Sequence, residues 1–336
     1  MHSNILAFPG FGCNRFLLST PDPPPILRTM NFPVAMLHVP EYAHATLETA
    51  VDHVFAASAL HVTPGQRVLV KPNLVNGRNA RHSTSNPAVV KTVCGWLLDH
   101  GAHITVADSP AIGPASYVAR NSGLAQALAP LGLSVVGLKK AVPLPLTQGG
   151  HIGISQNALE ADRILNIPKL KVHGQMVMSC AVKNLFGCVV GFRKALAHNR
   201  LGHDRALFQA MLMDVSTALP QCHHLVDGIH AMHKNGPIDG ELFPLNLLAA
   251  CPDDIAVDTA IYSLLGLTPD QVPLWTEAIS RNKPGAHLEA LHFPLAHPSD
   301  FDPTGFTMAP DRELSFAPSR IISGRIRSLL KYLKKQ

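Results

Sequence analysis

The sequence predicts an α/β protein in which a mostly parallel sheet carries helices on both faces. Short apolar runs, typical of buried strands, alternate along the chain with segments whose apolar residues recur at helical spacing. Several of the apolar runs end directly in polar residues, as strands do where they lead into loops at one edge of a parallel sheet. The composition is that of a globular chain, with 46% hydrophobic and 15% charged residues.

The predicted elements follow one another in an order that suits such a sheet. Strands are predicted at 34–38, 67–73, 103–107, 133–138, 163–168 and 223–226, with a short extended segment at 152–154. Helices are predicted at 42–59, 88–100, 117–131, 206–219 and 252–265, with a short one at 158–162. Pro87 suits the first position of a helix and Gly101 its end. The order indicates a Rossmann-like architecture, in which ligands bind beyond the carboxyl ends of the strands.

Three parts of the chain are distinguished by composition. Residues 1–33, which include Pro23 to Pro25, are predicted to be an irregular N-terminal extension, and 34–297 to be the α/β domain. Residues 298–336 are predicted to be a linker and an amphipathic basic helix at 320–336. Such a helix contacts an anionic membrane surface peripherally or docks on a protein. Because no apolar run of about 18 residues occurs, no spanning helix is expected.

Positive charge is concentrated in residues 163–203, which hold seven Lys and Arg and no Asp or Glu, although the whole chain is only +5. These cations stand among Gly, Asn and His rather than in a lysine-rich tail. This pattern predicts a pocket for a small anionic ligand. Nucleic-acid binding is not favoured, since the chain has no long basic run and only 6% aromatic residues for base stacking.

The six cysteines are irregularly spaced and form no CxxC pair, which predicts reduced thiols in a cytoplasmic protein. No ferredoxin cysteine run, Walker motif or GxGxxG motif is present. The His and Cys residues of the basic stretch match no standard zinc spacing, so no metal ligand is predicted.

The candidate ligand-binding residues follow predicted strands. Lys71 and Asn73 end one strand, and Asp108 and Ser109 follow the next. The alternative interpretations are a surface lysine before a turn and an Asx turn at the aspartate. Because carboxyl ends of parallel strands meet at one edge, we expect these groups to lie close together.

The basic stretch adds two blocks to this edge. In 169–173, Lys169, Lys171 and His173 lie on one side of an extended chain and can bind carboxylate or phosphate, although lysines also protect edge strands. A second block, a Gly-spaced loop at 183–198, supplies further ligand-binding residues. These are Lys183, Asn184 and Gly187.

The candidate catalytic residues are two histidines and two aspartates. His173 or His198 is expected to transfer protons, since imidazole titrates near neutral pH. Asp227 or Asp258 is expected to orient one of them. Asp227 can equally balance the basic cluster, and Asp258 can be buried and paired among apolar neighbours.

Taken together, these blocks resemble the uncharacterised DUF362 family over roughly residues 34–270. The matching segments are Lys71-Pro72-Asn73, Asn86-Pro87, Asp108-Ser109, 162–173, 182–187, Gly191, His198, Asp227-Gly228, 235–237 and 254–258. The resemblance implies a cytosolic α/β protein, often associated with redox metabolism. Many relatives carry a ferredoxin-like module with two [4Fe-4S] clusters, and this chain lacks the cysteines for it. The family is also distantly similar to nickel-pincer lactate racemases.

We therefore expect an enzyme of unknown specificity that acts on a small carboxylate or phosphate metabolite, by redox or isomerase chemistry. Two alternatives remain open. One is a non-catalytic protein that binds an anion or a redox partner protein. The other is a protein that binds a metal or an iron–sulfur cluster.

Overall fold

A computed structural model describes residues 31–191, 193–202 and 204–311. The strands are β1 Phe32–Pro33, β2 Ala35–His38, β3 Arg67–Pro72, β4 His103–Asp108, β5 Val135–Gly137, β6 Ala141–Pro145, β7 His151–Ser155, β8 Arg163–Ile167, β9 Lys169–His173, β10 Val177–Ser179, β11 Cys222–His233, β12 Glu241–Cys251 and β13 Leu291–His292. The α-helices are α1 His44–Ala57, α2 Ala80–Ser83, α3 Pro87–Asp99, α4 Ala115–Ser122, α5 Leu124–Leu128, α6 Gln156–Leu159, α7 Ala181–Leu185, α8 Arg193–Leu201, α9 Arg205–Ala218, α10 Asp254–Leu264 and α11 Pro273–Ser280.

Nine of these strands form one large sheet that is mostly parallel. Its parallel part runs β5–β4–β3–β8, and β11 follows β8 in the same direction. Two short pairs of strands lie outside it: β6 pairs antiparallel with β7, and β1 pairs with β13 in parallel. The predicted α/β class with a mostly parallel sheet is therefore confirmed.

A single residue, Pro168, separates β8 from β9, so the two strands form one interrupted line beside β11. On the other side of this line, β8 pairs with β3, whereas β9 pairs antiparallel with β10. The line therefore continues past the end of β3. That continuation carries Lys169 and Lys171 past the end of β3, where β9 still pairs in parallel with β11.

The antiparallel part of the sheet differs from the predicted elements. The strand predicted at 223–226 extends to His233, and it forms an antiparallel hairpin with β12, which no pattern indicated. β12 in turn pairs with β2. Pro244 and Asn246 interrupt the apolar pattern of β12, and both residue types are depleted in strands. Pairing with β11 outweighs that local preference.

The two faces of the sheet are covered by separate apolar clusters. Along β3, Val68 and Val70 belong to one cluster and Leu69 to the other, as the alternation of a strand requires. Helices α1, α3, α4 and α5 contribute to the first cluster, and α7, α9, α10 and α11 to the second. Because one apolar cluster covers each face of the sheet, the polar carboxyl ends of the strands lie at the edge of both clusters.

Two predicted segments fold differently. The helix predicted at 117–131 is broken at Gly123, whose φ of 87° is left-handed, so it forms α4, α5 and a short 3-10 turn. The predicted Gly-spaced loop at 183–198 is largely helical, since it contains the end of α7, a 3-10 turn and most of α8. Gly191, with φ 58°, lies between the helical pieces.

Both predicted extensions fall largely beyond what the structure covers. Residues 1–30 of the N-terminal extension and the basic helix at 320–336 lie outside the described residues. Within the described ranges, no helix has the length and apolar character needed to cross a membrane.

Candidate functional site

A buried ion pair joins the ends of two adjacent parallel strands. Lys71 of β3 places its Nζ 2.8 Å from Oδ1 of Asp108 at the end of β4, and both side chains are almost fully buried. The ammonium meets Oδ1 outside hydrogen-bond geometry, so this contact is chiefly ionic. Asp108 Oδ2 accepts a hydrogen bond from the Leu74 amide at 2.9 Å. The aspartate thus fixes both the lysine and the loop after β3.

Gly187 lies directly against this ion pair. A Cβ placed on Gly187 would overlap Oδ1 of Asp108 and Nζ and Cε of Lys71. Only glycine allows the backbone to approach this closely. The residue therefore holds the turn after α7 against the buried charges.

A second buried ion pair lies at the start of β9. Lys169 Nζ is 3.0 Å from Asp227 Oδ2 of β11 and donates to the Tyr42 hydroxyl at 3.1 Å. Tyr42 in turn donates to Asp227 Oδ1 at 2.8 Å, and the Asn86 amide donates to Oδ2 at 2.9 Å. Burial, followed by the nearby Asp227 charge, raises the pKa of Tyr42 far above its usual range. The phenol therefore remains a donor.

Lys171 is buried and bonds only to neutral oxygens among the described residues. Its ammonium donates to Asn73 Oδ1 and, at 2.7 Å, to the Ser83 carbonyl. No carboxylate of the described chain lies within 4.0 Å of it. Burial, and then repulsion from Lys183 and Lys169, hold the pKa of Lys171 well below its usual value.

Lys183 and Lys194 complete the positive cluster. Burial and the charges of Lys194 and Lys71 lower the pKa of Lys183 to about 7. Burial also lowers the pKa of Lys194 to about 8, against the opposing attraction of Asp108. Lys183 keeps part of its surface in solvent, while Lys194 is buried. The Nζ of Lys183 lies 4.6 Å from the centre of the Phe186 ring, a contact that favours its charged form.

The five residues Lys71, Lys169, Lys171, Lys183 and Lys194 are named here the lysine cluster. Two carboxylates, Asp108 and Asp227, pair with two of them. Within the described chain, the other three have no carboxylate within 4.0 Å. Positive charge on these three lysines is therefore not balanced by a carboxylate of the described chain, and burial makes such a charge costly.

The polar segment 73–86 covers one side of the lysine cluster. The Asn73 amide donates to Ser85 Oγ at 2.7 Å, and Ser85 donates to the Ile167 carbonyl at 2.5 Å. Further out, Arg78 forms an exposed ion pair with Asp239 at 2.5 Å. The segment is thus attached to the ends of β8 and to the turn between β11 and β12.

A chain of amides lies beneath the cluster. Asn73 donates from Nδ2 to Asn184 Oδ1 at 2.9 Å, and Asn184 donates to Asn166 Oδ1 at 2.8 Å. Asn166 Nδ2 lies 3.0 Å from Nδ1 of His224, so the chain continues into β11. Burial lowers the pKa of His224 to about 4, which keeps this imidazole neutral. The amides orient Asn73 toward Lys171.

Asp258, a predicted catalytic residue, supports α7 instead of contacting the lysines. Its two carboxylate oxygens accept hydrogen bonds from the first amides of the helix, Ala181 at 2.7 Å and Val182 at 3.2 Å. Burial raises the pKa of Asp258 to about 7, against the lowering effect of these hydrogen bonds and of Cys180. The carboxylate therefore positions the helix that carries Lys183 and Asn184.

The remaining predicted residues have local contacts. His173 accepts a hydrogen bond at Nδ1 from the Gln175 amide at 3.1 Å. His198 packs on Phe208 with ring centres 4.5 Å apart. Ser109 Oγ accepts from the Gly191 amide at 3.0 Å, which ties the loop after β4 to the turn before α8.

The structure thus brings together most predicted ligand-binding residues, namely Lys71, Asn73, Asp108, Lys169, Lys171, Lys183, Asn184 and Gly187. Asp227 joins them as the partner of a lysine. Tyr42 and Lys194 were missed as site residues. Lys194 belongs to the basic stretch, so its charge was a usable signal, whereas no local pattern distinguishes Tyr42.

Within the described ranges, no group of three or more His, Cys, Asp and Glu side chains is arranged to hold a metal ion.

Comparison with known proteins identifies the family. A family model described as a domain of unknown function, DUF362, matches residues 68–263. This chain belongs to the DUF362 family. It is 38% identical over 243 residues to a thylakoid-associated protein of Synechocystis sp., covering 71% of this chain and 75% of that protein.

Two other similarities are shorter or more distant. A homoserine O-acetyltransferase of Rhizorhabdus wittichii is 33% identical over 98 residues, which is 27% of this chain and 31% of that enzyme. Among solved structures, a lactate racemase apoprotein from Thermoanaerobacterium thermosaccharolyticum aligns with a TM-score of 0.40 and 12% identity. That alignment covers 68% of this chain, which spans only 56% of the racemase.

Proposed function

We propose that the lysine cluster binds a small carboxylate or phosphate and that the protein is an enzyme acting on this anion. The observation that carries the proposal is the charge balance: five converging lysines face two carboxylates. Buried ammonium groups without a counter-charge either lose a proton or recruit an anion. An anion bound beside Lys183 and Lys194 would favour their protonated forms and balance the resulting positive charge.

The position of the cluster supports the same proposal. It lies at the carboxyl ends of β3 and β4 and at the line of β8 and β9, which is where ligands bind in open parallel sheets. In this respect the parallel part of the sheet is Rossmann-like. Preorganised ammonium groups in a buried site also stabilise negative charge that develops during a reaction.

Isothermal titration calorimetry with phosphate, lactate and pyruvate tests the binding step. We expect saturable binding of at least one of these anions by the wild-type protein. Lys171→Met should weaken it by tenfold or more, which corresponds to about 1.4 kcal/mol. Lys139→Met removes an exposed lysine and is the matched control. Equal affinity of the two variants for every anion would contradict the proposal.

A second candidate function is anion binding without catalysis. It is favoured by one observation: Asp227 and Asp258, the predicted orienting groups, are engaged by Lys169 and by the amides of α7. Incubation of the bound anion with protein in D₂O separates the two functions. Enzyme-dependent exchange of a C–H of lactate, followed by NMR, supports proton chemistry, and binding without exchange or turnover supports the second candidate.

The proposal also includes the cellular location of the protein and its partners. The name of the Synechocystis relative associates that protein with thylakoids. We infer for this chain a cytoplasmic protein that contacts an anionic membrane surface through 320–336, a segment outside the described residues. Association with a redox partner protein remains a prediction, and binding of a metal or an iron–sulfur cluster remains an alternative for a chain that has no ferredoxin cysteine motif. Elemental analysis of protein purified without oxygen tests the cluster.

A further inference from the structure

Three asparagine side chains, Asn73, Asn184 and Asn166, connect Lys171 to His224 and are named here the amide chain. Lys171 Nζ donates to Asn73 Oδ1, and Asn73 Nδ2 donates to Asn184 Oδ1 at 2.9 Å. Asn184 Nδ2 donates to Asn166 Oδ1 at 2.8 Å, and Asn166 Nδ2 lies 3.0 Å from His224 Nδ1. The amide chain therefore links a lysine of β9 to a histidine of β11 through β8 and α7.

The direction of these hydrogen bonds is fixed at the Asn166 end. The Ala181 carbonyl can only accept, and it accepts from Asn166 Nδ2 at 3.1 Å. Asn166 Oδ1 consequently faces Asn184 and accepts from its Nδ2. Asn184 Oδ1 must then accept from Asn73 Nδ2, since each side-chain amide has one oxygen and one nitrogen. The remaining group, Asn73 Oδ1, is thereby turned toward Lys171.

The tautomer of His224 follows from the same hydrogen bonds. Asn166 Nδ2 faces the Ala181 carbonyl and His224 Nδ1, and an amide nitrogen only donates. His224 Nδ1 must therefore be an unprotonated acceptor, which leaves the imidazole proton on Nε2. The ring is buried, which disfavours the imidazolium that would carry a second proton on Nδ1.

Lys171 depends on this arrangement because Asn73 Oδ1 is one of two acceptors that it has among the described residues. The other is the Ser83 carbonyl at 2.7 Å. With both engaged, a protonated amine keeps a third hydrogen for an anion. If the Asn73 amide were turned over, its NH₂ group would face the ammonium, and Lys171 would lose a hydrogen bond that orients it.

We propose that His224 is a positioning residue of the anion site, and that its Nε2–H tautomer holds the Asn73 oxygen toward Lys171 through the amide chain. The inference rests on the proposed anion site and assigns to it a residue that acts without touching the anion. Because His224 acts through the direction of hydrogen bonds, its effect depends on a lone pair at the δ position of the side chain.

NMR of the wild-type protein tests the tautomer. Long-range ¹H–¹⁵N correlation spectra distinguish a protonated from an unprotonated imidazole nitrogen, and a scalar coupling across the N–H···N hydrogen bond identifies the pair of Asn166 and His224. We expect the Nε2–H form and this coupling at neutral pH. The Nδ1–H form or an imidazolium would overturn the inference. The measurement does not depend on the folding of any variant.

Two substitutions of His224 test its effect on the anion site. In His224→Asn an amide oxygen stands at the δ position and can accept from Asn166, whereas His224→Leu offers no acceptor there. By calorimetry with phosphate and lactate, we expect His224→Asn to bind within about twofold of the wild type. His224→Leu should bind about fivefold more weakly, as the loss of one hydrogen bond predicts. Equal affinities of the two variants would overturn the inference.

His223→Leu is the matched control. His223 precedes His224 in β11 and is equally buried, but its Nε2 lies 2.8 Å from Ser58 Oγ on the opposite face of the sheet. This variant should keep wild-type anion affinity even if it is less stable, and a loss equal to that of His224→Leu contradicts the positioning role. Absence of anion binding by the wild type overturns the proposed function as well, whereas full binding by His224→Leu overturns only the positioning role.

A double-mutant cycle tests transmission through the amide chain. Asn166→Leu interrupts the chain, so adding His224→Leu to it should weaken anion binding no further. Losses that add in the double variant would show that His224 acts by another route and would contradict the inference.

Discussion

Lys71 and Asp108 end adjacent parallel strands, and their charged atoms lie 2.8 Å apart with almost no exposure to solvent. The pair joins β3 to β4 at the edge where the lysine cluster forms. A buried ion pair contributes little net stability compared with an apolar pair of similar size, but the loss of one partner leaves an uncompensated charge. The stability of the fold therefore depends strongly on keeping both partners of this pair.

Asp108→Asn is therefore expected to lower the free energy of unfolding by about 3–5 kcal/mol, because it leaves the Lys71 ammonium buried without its counter-charge. Urea denaturation followed by circular dichroism measures the change. Asp239→Asn, which breaks the exposed ion pair with Arg78, is the control and should cost at most about 1 kcal/mol. Similar losses of unfolding free energy in the two variants would show that the buried ion pair contributes no more to stability than the exposed one.

Gly187→Ala is expected to destabilise the protein and to weaken anion binding together, because the new Cβ overlaps Lys71 and Asp108. Overpacking of this kind typically costs about 1–3 kcal/mol. Gly95→Ala in α3 is the matched control, since its Cβ meets no atom within 4 Å. Alanine is favoured over glycine in a helix by about 1 kcal/mol, so the control should be neutral or stabilising. Thermal unfolding and calorimetry compare the two variants.

Anion affinity is expected to fall as the pH rises from 6 to 9. Lys183 and Lys194 lose their protons with pKa values of about 7 and about 8, and only their charged forms attract an anion. Each proton taken up on binding changes the affinity by at most roughly tenfold per pH unit. Calorimetry with lactate, which stays ionised throughout, measures the slope. Lys183→Arg should reduce the slope, and an unchanged slope would exclude Lys183 as a contributor.

Asp258 is expected to make the fold less stable as the pH rises from about 4 to about 7. Its pKa is 3.8 in the unfolded reference and about 7 in the folded protein, so the folded state holds the proton more tightly. The stability from this group is complete below pH 4 and is lost as the pH rises toward 7. Asp258→Asn should remove this component of the slope of unfolding free energy against pH. If the slope of unfolding free energy against pH is the same in Asp258→Asn as in the wild type, the prediction is contradicted.

Membrane contact through 320–336 is expected on the basis of its amphipathic, basic sequence. Flotation with vesicles that contain anionic phosphatidylserine should recover the full chain, and a chain that ends at residue 319 should remain behind. Vesicles of neutral phosphatidylcholine are the control. Equal recovery of the two chains rules out this contact.

Much of the site was predictable because it depends on one rule of parallel sheets. Lys71 and Asp108 follow apolar runs that became β3 and β4, so their meeting at one edge followed from the class of fold. The spacing of Lys169 and Lys171 likewise placed both on one side of β9. These features depend on local pattern and strand direction, which a sequence records.

The parts that were missed depend on contacts between distant segments. Tyr42 bonds to Asp227, 185 positions away, and nothing near Tyr42 indicates such a partner. The strand β12 contains Pro244 and Asn246 and is held by its pairing with β11. The segment 183–198 was predicted as a loop because of its glycines, although α7 is held by the remote carboxylate of Asp258. In each case, contacts between distant segments outweighed what the local sequence indicates.

The close approach of Gly187 to the ion pair has a consequence for the evolution of the family. A side chain at this position is compatible only with smaller or absent side chains at 71 and 108, since all three compete for one volume. The three positions should therefore vary together across relatives. A relative that has lost the glycine is expected to have lost the lysine–aspartate pair as well, and with it the anion site.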